Sequence, residues 1–195
     1  RQKLMALFSV PWPPQGLYFR DAVTSVAEME GIKFRSYNNA TSRLAELTGM
    51  LPVTIEAAEI SQAFATGVAD SMISSGATGS DRKVWESLGY FYEVDAWLPR
   101  NYVMVNSDAW NGLDEATQSV LRDCAATAEA EGLDASIAYT NFTLDGLREG
   151  GMTVEKASDE MVEGLKAVGE TMTTEWLEAA GEDGAAIVDA FKGMQ

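Results

Sequence analysis

The chain has 195 residues, 46% hydrophobic and 23% charged, enough for one good-sized domain or two small lobes with a real core. Its 30 acidic against 14 basic residues leave a net charge of −16, which repels nucleic-acid phosphates and anionic membranes, and no uncharged apolar run is long enough to span a bilayer. With no histidine, serine–histidine and cysteine–histidine catalysis are excluded within the chain, and the single Cys124 excludes an internal disulfide or a multi-cysteine metal site.

In chain order, "RQKLMALFSV" places a short apolar run after basic residues. It runs directly into "PWPPQG" without the small-residue pattern of a cleaved leader, so it reads as mature sequence. Pro11, Pro13 and Pro14 mark a stiff loop. "LYFR" and "IKFRSY" then read as strands, and "NATSRLAELTG" as a helix closed by Gly49. "LPVTIEA" predicts a strand, "EISQAFATG" a helix ending at Gly67, "VADSMISSG" a strand, "TGSDRKVWESLG" a helix and "YFYEVDAWL" another extended stretch. Strands alternating with short helices imply parallel neighbours joined by crossovers, because a parallel pair needs a long return connection. The class expected is α/β with mainly parallel sheets.

"NYVMVNSDAW" adds a strand and turn. The long helical stretch that follows opens on Asp114 and Glu115, favourable at the positive end of a helix dipole, and is expected to bend near Gly132. Within it Cys124 reads as a small packed side chain. "MTVEKAS" predicts a short strand, "DEMVEGLKAVGETMTTEWLEAAG" an amphipathic helix, and "DGAAIVDAFKG" closes the chain. The boundary drawn on this pattern separates an α/β part, residues 1–105, from a helical part, 106–195, that bridges or completes the lobes.

No glycine-rich phosphate loop is present, and the residues call for no cofactor or metal. Glu56 and Glu59 fall at a strand-to-helix turn, where paired carboxylates can do acid–base work or simply support the helix dipole. In open α/β sheets ligands settle beyond the carboxyl ends of the strands. Here those ends carry Arg35 with Asn38, Glu56, and Ser74 with Ser75. A guanidinium at such an edge matches a carboxylate with two parallel charge-assisted bonds, whereas the structural alternative is an ion pair with Glu56 or another acid. Asn38 is placed either to donate to a ligand or to cap a helix, and serine after a strand is also common turn chemistry. Trp12 and Trp97 can wall an organic ligand or pack a core; Trp85, Trp110 and Trp176 read as packing.

At these residues the sequence resembles the extracytoplasmic solute receptors of TRAP transporters, the DctP-type family. The likeness rests on "GIKFRSYNNAT", "PVTIEAAEISQAFATGVADSMISSG" and "YFYEVDAWLPRNYVMVNSDAWNGLD". In that family G-[LI]-K-x-R-x-x-N carries the arginine that clamps the ligand carboxylate, which falls on Arg35, and its asparagine falls on Asn38. A ligand-contacting asparagine falls on Ser74. The second arginine of some sialic-acid and dicarboxylate receptors falls near Pro14 and Gln15, which tells against a doubly clamped diacid, and the family's aromatic contact falls near Ala57, with Trp12, Gln15 or Trp97 compensating. The resemblance covers the C-terminal two-thirds of such a receptor. It implies a two-lobed periplasmic-binding-protein-like fold with a long C-terminal helical region, a periplasmic location after signal-peptide removal, and a small organic acid delivered to membrane permease subunits. Two other readings of the residues stand beside it: a carboxylate-based α/β enzyme acting on an organic acid through Glu56 and Glu59, and an interaction module whose acidic face docks a basic partner.

Overall fold

The computed structural model describes residues 2–194. Strand β1 (Leu4–Pro11) leads through Trp12–Pro14 into β2 (Gln15–Phe19), and a 3-10 turn at Val26–Met29 precedes β3 (Lys33–Ser36). The alternation continues as α1 (Asn39–Leu47), β4 (Leu51–Thr54), α2 (Ile60–Ala65), β5 (Ser71–Ser75), α3 (Gly76–Asp81) and β6 (Tyr90–Trp97). Strand β7 (Arg100–Asn106), α4 (Ser107–Asn111), α5 (Glu115–Glu149), β8 (Thr153–Lys156) and α6 (Asp159–Lys192) complete the chain.

The main sheet has six strands in the order β4-β3-β5-β2-β6-β8. The parallel steps expected from the strand–helix alternation are present at β3–β4, β3–β5 and β6–β8. The sheet is nevertheless mixed, because β2, at its centre, runs antiparallel to both β5 and β6. Strand β3 does not fold back beside β2 but lands beyond β5, leaving that slot to a strand more than fifty residues later. All five residues of β2 are buried: Leu17 and Phe19 pack under α1 and α6, while Tyr18 packs on the opposite face with Phe64, Met72, Phe91 and Leu144. A strand covered on both faces reads as a continuous apolar run, which is how "LYF" looks in sequence.

Strands β1 and β7 form a separate antiparallel ribbon. The chain passes between ribbon and main sheet at Trp12–Pro14 and at Leu98–Pro99, and the Trp12 backbone N–H donates to the Pro99 carbonyl at 2.9 Å, stitching these two crossings together. Leu4, Tyr102, Val103 and Met104 remain exposed on the ribbon. Helix α5 is the third connection, touching β1 and α3 along its length.

The bend expected near Gly132 is absent: α5 is one helix of 35 residues. Gly132 is there because the helix lies against β1, where a Cβ would sit 2.6 Å from Val10 Cγ2. The break instead comes in α6 at Gly181, whose φ of +61° suits a residue without a side chain, matching the boundary between the last two helical stretches of the sequence. Two packing expectations fail. Cys124 is exposed on α5, the adjacent Ala125 taking the buried position, and Trp176 is 45% exposed on α6. Trp110 is buried, with the Arg122 guanidinium 5.0 Å from its ring centre, and Trp85 packs on the core.

Candidate functional site

Arg35 sits in β3 between Phe34 and Ser36, opposite Val53 of β4 and Met72 of β5. The strand period sends Phe34 into the core under α1 and turns Arg35 to the other face. It is only 4% exposed. Its Nε donates to the Ile55 carbonyl at 2.8 Å, and its guanidinium lies 5.0 Å from the centre of the Tyr37 ring. Among the described residues nothing accepts a hydrogen bond from its two Nη atoms and no carboxylate pairs with it, Glu56 included. Among the described residues no buried side-chain nitrogen or oxygen lacks a partner, so those nitrogens still reach the surface. Burial pulls the guanidinium pKa below its ordinary value, with Tyr37 and Glu56 acting in the opposite direction.

Arg20, at the other end of the sheet, shows what a structural arginine looks like here. Its Nε bonds Asp70 Oδ1, Nη1 the Ser87 carbonyl and Nη2 the Phe64 carbonyl, each at 2.9 Å. Every nitrogen of that fork is committed; Arg35 keeps its bidentate end free.

The remaining candidates gather around the same edge. Gln15, 8% exposed, opens β2 opposite Ser75 of β5 and Trp97 of β6. Its Oε1 accepts the Tyr37 hydroxyl at 2.9 Å. Ser74, 5% exposed and two residues beyond Met72, shares the face of Arg35, and its hydroxyl has no hydrogen-bond partner among the described residues. Ser75 is structural: its side chain caps α3 and accepts the Trp12 indole N–H at 3.0 Å, and its carbonyl accepts the Tyr18 hydroxyl at 2.8 Å. Trp12 is thereby pinned beside the edge while 40% exposed. Trp97 lines an apolar cavity of about 80 Å³ with Leu17, Leu44, Ile73 and Met172.

Trp97 reaches Gln15 through a distortion of β6. Leu17 pairs with Tyr92 but Gln15 pairs with Trp97, so residues 93–96 loop out opposite Gly16, with Asp95 at φ +47°. A bulge of this kind re-aims the side chain that follows it.

Asn38 resolves toward capping. Its Oδ1 accepts from the Thr41 backbone N–H at 2.8 Å while Thr41 Oγ1 reaches back to the Asn38 N–H, a reciprocal box at the start of α1. Asn38→Ala is expected to lower unfolding free energy by about 1 kcal/mol, read from the urea midpoint at unchanged slope. Glu56 and Glu59 are exposed at the turn before α2, and among the described residues neither pairs with the other or with a cation. Tyr37 escaped the sequence reading: it follows β3 and packs toward the face of Phe34 and Leu17, and only at the end of the sheet does the Arg35 guanidinium come over its ring.

A family model described as bacterial extracellular solute-binding protein, family 7 (DctP) matches residues 17–180. The chain belongs to this family. A TRAP solute-binding protein from an unidentified marine microbe, specific for pyroglutamate, is 50% identical with a TM-score of 0.88, covering 98% of this chain and 63% of that one. DctP6 of Bordetella pertussis, a receptor binding pyroglutamic acid, is 42% identical with a TM-score of 0.91 over 98% of this chain and 64% of its own. The ectoine-binding periplasmic protein TeaA of Halomonas elongata is 22% identical, over 88% of this chain and 51% of that protein. The DctP-family chain thus spans about half the length of its curated relative and just under two thirds of the two structural ones. It carries the mixed α/β sheet and long C-terminal helices of two-lobed periplasmic receptors. Among the described residues no helix is long and apolar enough to cross a membrane.

Proposed function

We propose that this protein is the periplasmic substrate-binding component of a TRAP-type transporter, and that it captures pyroglutamate or a closely related small monocarboxylate for delivery to the membrane permease. The observation that carries the reading is the Arg35 guanidinium: nearly enclosed, bonded only through Nε to Ile55, and left without an anionic partner. Burying an unpaired cation costs free energy, and a ligand carboxylate meeting both Nη atoms recovers that cost with two charge-assisted bonds. A protein of net charge −16 can still bind an anion this way, because distant charges are screened beyond about 10 Å while contact at an enclosed site is not.

In this reading Ser74 and Gln15 supply the neighbouring polar contacts, Trp12 and Trp97 the apolar walls, and Asn38 its amide while capping α1. The main sheet, chiefly within residues 1–105, is the ligand-clamping wall. The ribbon and the helices of 106–195 belong to or bridge toward the opposite wall, whose closure excludes water. The protein acts as a binder and not as an enzyme, and needs no cofactor. The choice of pyroglutamate rests on the relatives at 50% and 42% identity. Native mass spectrometry of the full-length protein as purified, followed by thermal shifts against a carboxylate panel, tests it. Co-purified pyroglutamate, or a selective shift with it, is the expected result; stabilisation by none of the carboxylates would refute the reading.

A further inference from the structure

The amide of Gln15 is the second group at this edge whose chemistry is only half used. Its Oε1 is taken by the Tyr37 hydroxyl, so the amide is oriented and its Nε2 carries two N–H donors. Neither finds an acceptor among the described residues, although the residue is more than nine-tenths buried, and the Nε2 atom is not sealed from solvent. A nearly buried donor left open in this way is costly unless something visits it. Tyr37 ties the two open groups together: Arg35 lies on the face of its ring and Gln15 on its hydroxyl. A carboxylate on Arg35 is therefore one tyrosine ring away from the Gln15 N–H groups.

What visits must accept hydrogen bonds, and the surrounding charge says that it is neutral. Glu93 and Asp95 line a small cavity together with Gln15, Glu56 acts on Arg35, and the cations Arg148 and Arg43 are already engaged, Arg148 with Glu93 and Asp145 and Arg43 with Glu46 and Glu175. A second carboxylate would be desolvated beside these acids with no unengaged cation among the described residues shown to neutralise it. A carbonyl oxygen suffers no such penalty.

We infer that Gln15, held in orientation by Tyr37, reads a neutral carbonyl on the ligand, making the site selective for carboxylates that carry an amide or lactam oxygen. This rests on the Arg35 clamp and specifies the ligand's other end. Tyr37 is a positioning residue, because its hydroxyl acts through Gln15.

Calorimetry on the full-length protein with pyroglutamate, cyclopentanecarboxylate and glutarate tests it. Cyclopentanecarboxylate keeps a five-membered ring and the carboxylate but lacks the carbonyl and adds no charge, and glutarate offers a second carboxylate instead. The wild type is expected to prefer pyroglutamate strongly over both. Gln15→Ala should weaken pyroglutamate by roughly 10- to 100-fold while changing cyclopentanecarboxylate far less. Gln15→Glu, of the same shape and still able to accept the Tyr37 hydroxyl, should weaken pyroglutamate at least as much, and Tyr37→Phe should cost less than either. An unchanged pyroglutamate-to-cyclopentanecarboxylate ratio in both Gln15 variants, or a wild type that binds cyclopentanecarboxylate as tightly as pyroglutamate, overturns the inference while leaving the receptor reading intact. A wild type that binds none of the three, or binding untouched by Arg35→Ala, removes the clamp itself and the inference with it.

Discussion

Arg35→Ala is expected to abolish ligand-induced stabilisation of the full-length protein while leaving its unliganded fold almost unchanged. Breaking one side of an enclosed charge pair costs about 3 to 5 kcal/mol, which weakens binding by roughly a hundred- to several-thousand-fold. At a ligand concentration one hundred times the wild-type Kd, stabilisation of about 2.7 kcal/mol falls to about 0.4 or less. The unliganded protein loses the Nε bond to Ile55 and the guanidinium's contact with the Tyr37 ring, offset by release of a cation whose burial already lowers its pKa. Arg35→Lys sharpens the result, since it keeps the charge and removes the fork; a lysine that binds as well as arginine would show that planarity is irrelevant. A variant that unfolds, or one that still gains stability from ligand, would instead mark Arg35 as structural.

Gly16→Ala should be the most damaging small substitution near the site, lowering stability by about 3 kcal/mol. A Cβ there would lie 2.4 Å from Phe91 Cζ and 2.4 Å from the Tyr92 carbonyl oxygen. The ring cannot swing aside, because it packs against Tyr18 with centroids 4.5 Å apart, and the carbonyl belongs to the β6 backbone. Relief comes only by pushing β6 outward, which opens the bulge at residues 93–96 and shifts both Gln15 and Trp97. A fall in urea midpoint accompanied by weaker ligand binding is expected. A variant as stable as wild type would mean that the close approach of β2 and β6 relaxes without strain.

Much of this architecture can be read locally. The stops after the first two helices are Gly49 and Gly67, each at positive φ, so the residue that ended a helix on paper ends it in space for a conformational reason. Arg35 stood out because a charge amid β-forming apolar residues needs an explanation wherever the chain puts it. The failures share a different origin. Gly132 looks like a break until Val10, remote in sequence, is seen against it, and the antiparallel setting of β2 depends on partners that no local pattern names. Tyr37 and Gln15 become interesting only together, and their 2.9 Å contact spans two strands that are not neighbours in the sheet.

The stitch from Trp12 to Pro99 has a mechanical consequence. Any rotation of the β1–β7 ribbon against the main sheet must pivot where these two crossings are tied, and the Trp12 indole on Ser75 puts the binding edge beside that fulcrum. In the proposed reading a ligand seated there works on a short arm, so that a small displacement of Trp12 is magnified at the far tip of the ribbon, with α5 as the third connection to be flexed.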